Sequence, residues 1–478
     1  MKTKRILSIL LTLALACGLL ALAPTTASAA DIATPMLAAG GNDSLALKSD
    51  GTVVAWGSNS NGQLGDGTTT ERHTPVQATA LTGTAFTVAI AENGDTSLAL
   101  QNNGTLLSCG WQKRDPLSGI KAIAAGFSHL SVVKTDGTVW GWGNNTYGNL
   151  GDGTTSYSST PVQAQGLSGV TAIAARKHVL AVKSDGTVWA WGYNLGGEIG
   201  DGTTTDRYTP VQVPGLSNVT AVAAGECFSM ALKSDGAVWG WGNNTFGQMC
   251  NGEVGGGGVP PRQVMTGVTA IAAGYGHALA LKNGTVWAWG CNWNGQLGNG
   301  TTTGTDGSAP IQVSGLTGVT AIAAGDQFSM ALKSDGTVWA WGDNDCGQLG
   351  DGTTTNRSTP VQVKDVGGTG WLNLKVASTT PTYTLTVNGG SGGGSYAAGA
   401  VVTITADDAP SGKVFDKWTA SGVTLSSPNS ASTSFTMPAN AVTVTATYKN
   451  SGSSTDDEWS FWDWIIYIFF FGWLWMFF

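Results

Sequence analysis

Three of the four histidines in this 478-residue sequence recur at one position of a repeated segment. A histidine beside a nucleophile would indicate acid–base or nucleophilic catalysis. A catalytic histidine is needed only once, however, and here the position alternates with other residue types, which indicates a structural role. In chain order this position holds Asp43, Thr96, His129, His178, Phe228, His277 and Phe328.

The remaining histidine, His73, has no paired nucleophile, and the HExxH and P-loop motifs are missing from the sequence. We therefore predict no catalytic residues, and the pattern favours a protein that is not an enzyme. Acidic loops of the type GDGTT are the next candidates for chemistry. Each offers one carboxylate, whereas Ca²⁺ takes six to eight oxygens, so we predict turns, no metal site and no cofactor. The residues concerned are Asp66, Asp152, Asp201 and Asp351, with Asn299 in one copy.

Five cysteines follow the N-terminal segment, an odd number without a CxxC pair, which indicates neither a disulfide framework nor a zinc site. Recognition is better sought in segments that differ between copies, since loops on a rigid scaffold commonly carry it. The most irregular are 112–116, 253–262 and 303–309. The candidate ligand-binding residues are Tyr147, Tyr193, Phe246 and Trp293, together with Arg114 and Arg262.

A repeat of about fifty residues must position these side chains. Its glycine after a Trp-rich segment recurs seven times, with one short spacing of 33 residues after the second copy. Each copy contains an apolar run, an alternating run, an Asp-Gly or Asn-Gly pair and a β-branched, aromatic run. These features predict short strands, with a type I′ turn at the Gly pair. The recurring residues are Gly57, Gly110, Gly143, Gly192, Gly242, Gly290 and Gly342.

Six copies continue with a Gly-rich loop and a Thr-Pro-Val-Gln-like strand, and the second copy does not. Seven such sheets can bury their faces by radial packing, so we expect an all-β, seven-bladed propeller over residues 31–378. Ring closure should bring 35–40 beside 359–378. Two tryptophan registers, one beginning at Trp140 and one at Trp56, should pack between the blades.

The motifs AAGxxHxLALKSDGTVWAWG and NxxGQLGDGTT resemble the RCC1 (regulator of chromosome condensation) repeat family over roughly residues 35–378. The resemblance implies a seven-bladed propeller. The family's founder exchanges nucleotide on a small GTPase and binds chromatin, and we expect neither role here. The family also includes a secreted bacterial inhibitor of β-lactamases, which binds its enzyme with one end of the propeller.

Residues 1–30 have the pattern of a secretory signal peptide: Lys2, Lys4 and Arg5, then an apolar run, then small residues. A permanent N-terminal anchor is the alternative. Without this segment 20 basic residues face 31 acidic ones. This balance argues against binding nucleic acid or adsorbing to anionic lipid.

The C-terminal part differs in composition. Residues 379–449 resemble the divergent internalin-B-type B-repeat of bacterial surface proteins, through GKVFDKW and SFTMPANAVTVTATY, and 450–458 are a polar linker. Residues 459–478 hold twelve aromatic residues, and Asp463 carries the one charge. We expect a membrane-associated tail. The alternatives are a segment removed by processing and one that docks onto a partner.

These features favour an exported cell-surface binding or adhesion protein with an unknown protein or glycan partner. A secreted inhibitor that uses one propeller end against an enzyme is the alternative. A cell-wall or carbohydrate-active enzyme is less favoured, because the sequence shows no acid pair suited to that chemistry.

Overall fold

The computed structural model describes residues 33–83, 85–110, 117–304, 309–375 and 382–451. These residues form two compact units, 33–375 and 382–451. Each unit is built from β-strands around its own hydrophobic core.

The first unit is a seven-bladed propeller, as predicted. Six blades are four-stranded antiparallel sheets and one has three strands, and every sheet consists of consecutive strands. Neighbouring inner strands contact each other around the ring, and β1 of the first blade contacts β24 of the last.

Blades 1 and 2 contain β1 (Met36–Ala39), β2 (Asp43–Leu47), β3 (Val53–Gly57), β4 (Arg72–Gln77), then β5 (Thr87–Glu92), β6 (Thr96–Gln101) and β7 (Leu106–Gly110). Blades 3 and 4 contain β8 (Ile120–Gly126), β9 (His129–Lys134), β10 (Val139–Gly143), β11 (Ser158–Gln163), then β12 (Val170–Ala175), β13 (His178–Lys183), β14 (Val188–Gly192) and β15 (Arg207–Gln212).

Blades 5 and 6 contain β16 (Val219–Ala224), β17 (Phe228–Lys233), β18 (Val238–Gly242), β19 (Val259–Met265), then β20 (Ala270–Ala273), β21 (His277–Lys282), β22 (Thr285–Gly290) and β23 (Ile311–Gln312). Blade 7 contains β24 (Val319–Ala324), β25 (Phe328–Lys333), β26 (Val338–Gly342) and β27 (Arg357–Gln362).

Blade 2 is the three-stranded blade, which agrees with its short repeat. A single 3₁₀ turn (Thr79–Leu81) precedes it and contacts β7. The other blades place their fourth strand, of the Thr-Pro-Val-Gln type, at the outer edge of the sheet.

The hairpin turns between second and third strands differ from the prediction in six blades. A type I′ turn needs positive φ at both central residues, and only Asn283 (50°) and Gly284 (73°) of blade 6 have it. In the other blades only the glycine is positive, as at Gly51 (82°). There the Gly51 N–H donates to the Lys48 carbonyl, and the Lys48 N–H donates to the Thr52 carbonyl. This pattern is a type I turn with a glycine bulge, which needs one residue more than the blade 6 turn.

The two tryptophan registers are buried to different degrees. The six rings of the second register are fully buried between blades: Trp56, Trp142, Trp191, Trp241, Trp289 and Trp341. The rings of the first register are only half-buried. The prediction that both registers pack in the core between the blades therefore holds for the second register alone. In four blades a lysine amine lies 5.4–5.8 Å from the ring centroid of the first-register tryptophan: Trp140, Trp189, Trp239 and Trp339.

The ring closes between blades 7 and 1. Leu37 of β1 shares a hydrophobic cluster with Leu372 and Leu374, which follow the last strand. Backbone bonds also cross this seam, among them one from the Ser49 N–H to the Leu374 carbonyl, at 2.8 Å. The segment 359–378, which was expected to lie beside 35–40, therefore reaches blade 1. Its backbone bonds the turn after β2, however, and β1 itself packs against β24 and β25.

The second unit contains two small sheets with the orders β30-β28-β34-β32 and β29-β31-β33. Its core includes Leu385, Ile404, Trp418 and Val444. The strands are β28 (Thr382–Asn388), β29 (Gly390–Ser391), β30 (Gly394–Ala397), β31 (Val401–Ala406), β32 (Lys413–Ala420), β33 (Ser432–Thr436) and β34 (Val442–Asn450). β34 includes Asn450, the first residue of the segment expected to be a linker.

The expected signal peptide and aromatic tail both lie outside the described residues. Among the residues that are described, the structure contains no helix of the length and apolar character needed to span a bilayer.

Candidate functional site

Two buried histidine–serine pairs resemble catalytic dyads, but their hydrogen bonds run in the wrong direction for catalysis. His178 Nε2 lies 2.7 Å from Ser229 Oγ, and the Ser229 hydroxyl donates to the Glu198 carbonyl at 2.8 Å. Because that hydroxyl proton is committed, the imidazole Nε2–H must be the donor to Ser229. His277 and Ser329 repeat the arrangement, with a separation of 3.0 Å.

Burial also lowers the pKa of both imidazoles to about 3, which keeps them neutral. A neutral imidazole that donates to a serine cannot take the serine proton. His178 and His277 therefore connect neighbouring blades, since each His–Ser pair joins adjacent sheets.

The acidic loops are closed by hydrogen bonds within each loop. Asp66 accepts from the backbone N–H and the hydroxyl of Thr68, at 2.9 and 2.8 Å, and from Arg72 Nε at 2.8 Å. Asp201 and Asp351 repeat the arrangement with Arg207 and Arg357. Among the described residues no group of three His, Cys, Asp or Glu side chains is arranged to hold a metal ion.

Each of these loops also binds the next blade. The Trp341 indole N–H donates to the Gln296 carbonyl at 2.8 Å, across the junction of blades 6 and 7. The same contact recurs at Trp56, Trp191, Trp241 and Trp289, with distances of 2.7–2.9 Å. Blade 2 carries Cys109 at this position, and its Sγ lies 3.2 Å from the Gln63 carbonyl.

Variation is concentrated on one face of the ring. We call it the loop face: it carries the turns between first and second strands and the loops between third and fourth strands. The turn tips surround the central axis, and their residue types differ between blades although the flanking strands repeat. The tips are Gly41, Gly94, Phe127, Arg176, Glu226, Tyr275 and Asp326.

Backbone hydrogen bonds connect several of these tips. The Phe127 N–H donates to the Arg176 carbonyl at 2.7 Å, and the Tyr275 N–H donates to the Asp326 carbonyl at 3.0 Å. The Asp326 N–H donates to Gly40 of blade 1, also at 3.0 Å. The tips therefore form a rim whose geometry is fixed by the backbone, which leaves the side chains free to vary.

Arg176 crosses this rim. Its guanidinium bonds Glu226 of blade 5 through Nε at 3.1 Å and Asp326 of blade 7 through Nη2. Burial opposes the charge on Arg176, but the two carboxylates outweigh it, and the pKa of the guanidinium is raised. Lys177 Nζ pairs with the other oxygen of Glu226 at 2.5 Å. Arg176 thus partly closes the channel mouth.

The channel below the rim is lined mainly by small residues of the inner strands. Six blades each contribute two consecutive alanines to its lining, and blade 2 contributes Ala91 and Glu92. The volume of the channel is about 160 Å³. A larger cavity of about 360 Å³ lies at the mouth, and we call it the axial pocket. Its lining includes Glu92, Asp95, Phe127, Arg176, Tyr275 and Asp326.

A buried carboxyl pair stands beside this pocket. Asp43 is fully buried, and apart from the carboxyl group of Glu92 no group is placed to hydrogen-bond to either of its carboxyl oxygens. Glu92 is its neighbour, and Glu92 accepts the Gly94 N–H at 2.9 Å. Two carboxylates offer acceptors only, so a hydrogen bond between them requires a shared proton. Burial raises the pKa of Asp43 to about 7 and raises that of Glu92 well above its usual range.

The four predicted aromatic residues lie on the loop face as two pairs. Tyr147 and Tyr193 of blades 3 and 4 meet edge to face, with centroids 4.9 Å apart. Phe246 and Trp293 of blades 5 and 6 do the same at 5.0 Å. Trp293 is 65% exposed. Lys177 Nζ lies 5.7 Å from the Tyr193 ring and also 5.7 Å from Phe127, so it connects one pair to the rim.

The two predicted arginines are not part of this arrangement. Arg262 is exposed on β19, the outer strand of blade 5, where it pairs with Gly240. Arg114 lies outside the described residues. Phe127, Arg176, Lys177 and Tyr275 are the site residues that the sequence reasoning missed. Their signal was available, because they occupy the two variable positions inside the repeated AAGxxH motif, of which the first is the turn tip.

Comparison with known proteins assigns the fold family. The family model described as the RCC1-like domain matches residues 24–265 and 178–401. The chain belongs to the RCC1-like domain family. The Divergent InlB B-repeat domain model matches residues 383–452, which covers the second unit.

Individual relatives of this RCC1-like chain are distant. The Ultraviolet-B receptor UVR8 of Arabidopsis thaliana is 29% identical over 354 residues, which cover 69% of each chain. The E3 ubiquitin-protein ligase HERC2 of Mus musculus is 30% identical over 373 residues, but the match spans only 7% of HERC2.

A solved structure also shares the fold. Prp20p of Saccharomyces cerevisiae, studied for its binding to Gsp1p and histones, is 22% identical and has a TM-score of 0.58. The alignment covers 65% of this chain and 85% of that one. At this level of identity the likeness supports the propeller fold alone.

Proposed function

We propose that this RCC1-like protein is an exported bacterial surface protein that binds a protein partner through the loop face of its propeller. One observation carries the proposal. Exposed aromatic residues lie on that face beside a rim of charged residues, and both sets vary while the strand positions behind them repeat. Phe127 is 58% exposed and Tyr275 is 42% exposed beside the charged rim. Exposed aromatic side chains on a rigid scaffold are typical of protein-recognition surfaces.

The buried groups support a role in binding and not in catalysis. Both histidine–serine pairs are bonded in the non-catalytic direction, and the acidic loops are internally satisfied. The match to HERC2 covers too little of that ligase to bring its activity to this chain. We propose no cofactor, no nucleic-acid partner and no small GTPase partner, since the chain carries 31 acidic against 23 basic residues.

Export and surface attachment rest on sequence patterns. The B-repeat unit fits a bacterial surface protein, and residues 1–30 and 459–478 fit a signal peptide and a membrane-associated tail. Deletion of 459–478 should move the protein from the membrane fraction to the medium. Full-length protein already free in the medium would contradict the anchor.

Binding is tested with the labelled full chain on intact and protease-treated cells. Trp293→Ala and Phe127→Ala should each lower cell binding at least tenfold with little change in melting temperature. Trp371→Ala is the matched control: this tryptophan is 54% exposed, and its segment bonds the Gly336 turn on the opposite face. An equal loss in the control would overturn the proposal. Undiminished binding to protease-treated cells would indicate a glycan.

A further inference from the structure

We infer that the axial pocket binds an organic cation, an ammonium or guanidinium group at the end of an aliphatic stem, as carried by a lysine or arginine of the partner. This inference rests on the proposed function and specifies the chemistry of its partner. It follows from the charge, the shape and an unpartnered buried group of the pocket.

The acidic groups around the pocket are paired with basic side chains in only one part of its lining. Glu226 and Asp326 are paired with Arg176 and Lys177. Glu92 and Asp95 line the side of blades 1 and 2, and no cationic group of the described part of the chain forms an ion pair with them. The acidic groups on the side of blades 1 and 2 therefore have no cation from the described residues beside them.

Asp43 adds a second observation. Its carboxyl group is fully buried behind Glu92 without any further donor, and it interacts electrostatically with Asp95 and Asp326 of the same pocket. A buried carboxylate without a cation is costly, so groups of this kind are normally paired. A cation placed against Glu92 would displace a proton that this pair retains and would stabilise its ionised form.

The shape of the pocket favours a side-chain-sized cation over a metal ion. A volume of about 360 Å³ can hold one extended side chain and is far larger than an ion. The tips of blades 1 and 2 are Gly41 and Gly94, so no side chain fills that side. Phe127 and Tyr275 also line the pocket, and aromatic rings are suited to contact an alkyl stem or a cation.

The inference is tested by ligand-observed NMR with the full chain. The probes are the N-acetyl N-methylamides of lysine and arginine, with the norleucine derivative as a neutral match of similar length. The cationic probes should bind at least tenfold more tightly than the norleucine probe. Spermidine distinguishes a free polyamine from a side chain, and CaCl₂ tests for a metal site.

Three variants connect binding to the pocket. Glu92→Gln and Asp95→Asn should each weaken the cationic probes about tenfold, whereas Asp408→Asn in the second unit removes the same charge and should have no effect. Gly41 offers a third test, because a Cβ built there lies 3.8 Å from Asp326 Oδ2 and meets no closer atom than Gly94 Cα at 3.5 Å. Gly41→Lys should abolish probe binding and raise the melting temperature above that of Gly41→Met, by about 2 °C.

Several outcomes would overturn the inference: equal binding of the neutral probe, no effect of Glu92→Gln and Asp95→Asn, or binding of Ca²⁺ alone. If Gly41→Lys is no more stable than Gly41→Met, a cation in the pocket does not stabilise the folded protein, and the inference fails. If the probes fail while Trp293→Ala still loses cell binding, only this inference fails. If the probes bind while the face variants retain cell binding, the proposed function fails and the cation site stands.

Discussion

Trp341 and Gln296 are joined across two blades by a single hydrogen bond, from the indole N–H to the backbone carbonyl, at 2.8 Å. The equivalent ring in blade 3, Trp142, is equally buried, but its indole N–H has no partner. The cause is visible in the chain. Blade 2 lacks the loop that would supply the carbonyl, so at the junction of blades 2 and 3 the buried indole of Trp142 finds no acceptor among the described residues.

Replacing each of these two tryptophans with phenylalanine should therefore have unequal effects. Both changes remove similar buried area, but only Trp341→Phe also removes a hydrogen bond. We expect Trp341→Phe to lower the free energy of unfolding by about 1 kcal/mol more than Trp142→Phe. Chemical denaturation of both variants measures the difference, and equal losses would show that the bond contributes nothing.

The histidine position should tolerate phenylalanine. Phe228 and Phe328 occupy the same position in blades 5 and 7, where they are fully buried. We expect His178→Phe to change the melting temperature by no more than about 3 °C, and His178→Lys, which buries a charge, to unfold the protein.

A serine-directed fluorophosphonate probe gives an independent check on the same pair. It should not label Ser229 in the unaltered chain, because the serine hydroxyl donates its proton to the backbone carbonyl of Glu198. Labelling at Ser229 that disappears in His178→Phe would show the pair to be catalytic after all.

Stability should fall as the pH rises from about 6.5 towards 8. Below this window the buried His178 and His277, with folded pKa values of about 3, act in the opposite direction, because they gain protons only in the unfolded chain. The folded pKa of Asp43 is about 7 and that of Glu92 is also raised, whereas both groups titrate near 4 in an unfolded chain. The folded state therefore holds protons in this window that the unfolded state has released. Each such proton can lower the free energy of unfolding by at most about 1.4 kcal/mol per pH unit.

Asp43→Asn isolates this effect. The amide can donate to Glu92, so the variant should be more stable than the unaltered chain at pH 8 and should depend less on pH. Glu198 leaves a residual slope in the same direction, because burial raises its pKa to about 7 as well. Melting temperatures at pH 6.5 to 8 test this, with Asp408→Asn as control. A variant as sensitive to pH as the unaltered chain would contradict the assignment.

The two aromatic residues of the blade 5–6 pair should separate binding from stability. Trp293 is 65% exposed, so its replacement by alanine should leave the melting temperature nearly unchanged. Phe246 is half-buried and packs against Gly276, so Phe246→Ala should cost about 1–2 kcal/mol. Parallel denaturation curves decide the point. Equal losses would place both rings in the core.

The propeller was predictable because its signal repeats. The spacing of Gly57, Gly110 and their five equivalents predicted seven blades and the short second blade. The blade 6 turn was predicted correctly, but the other six were not, because Asp50 and its equivalents have negative φ. The extra serine before Asp50 was the available sign of a longer turn.

The axial pocket was not predictable in the same way. Arg176 and Asp326 are 150 residues apart, and only closure of the ring brings them together. The residue types at the turn tips also do not repeat: apart from the two glycines, each type occurs in one blade. The predicted aromatic residues Tyr147 and Trp293 were found because they directly follow a recurring motif, whereas the tips lie inside one.

Every blade is made of strands that follow one another along the chain, and the seam between blades 7 and 1 is held by side chains and by backbone bonds such as that from Ser49 to Leu374. No sheet depends on a strand borrowed from the other end of the propeller sequence. The links between blades are therefore equivalent as places to begin and end the polypeptide. A circular permutant that joins residue 375 to residue 33 through a short linker and opens between blades 4 and 5 keeps all seven sheets intact.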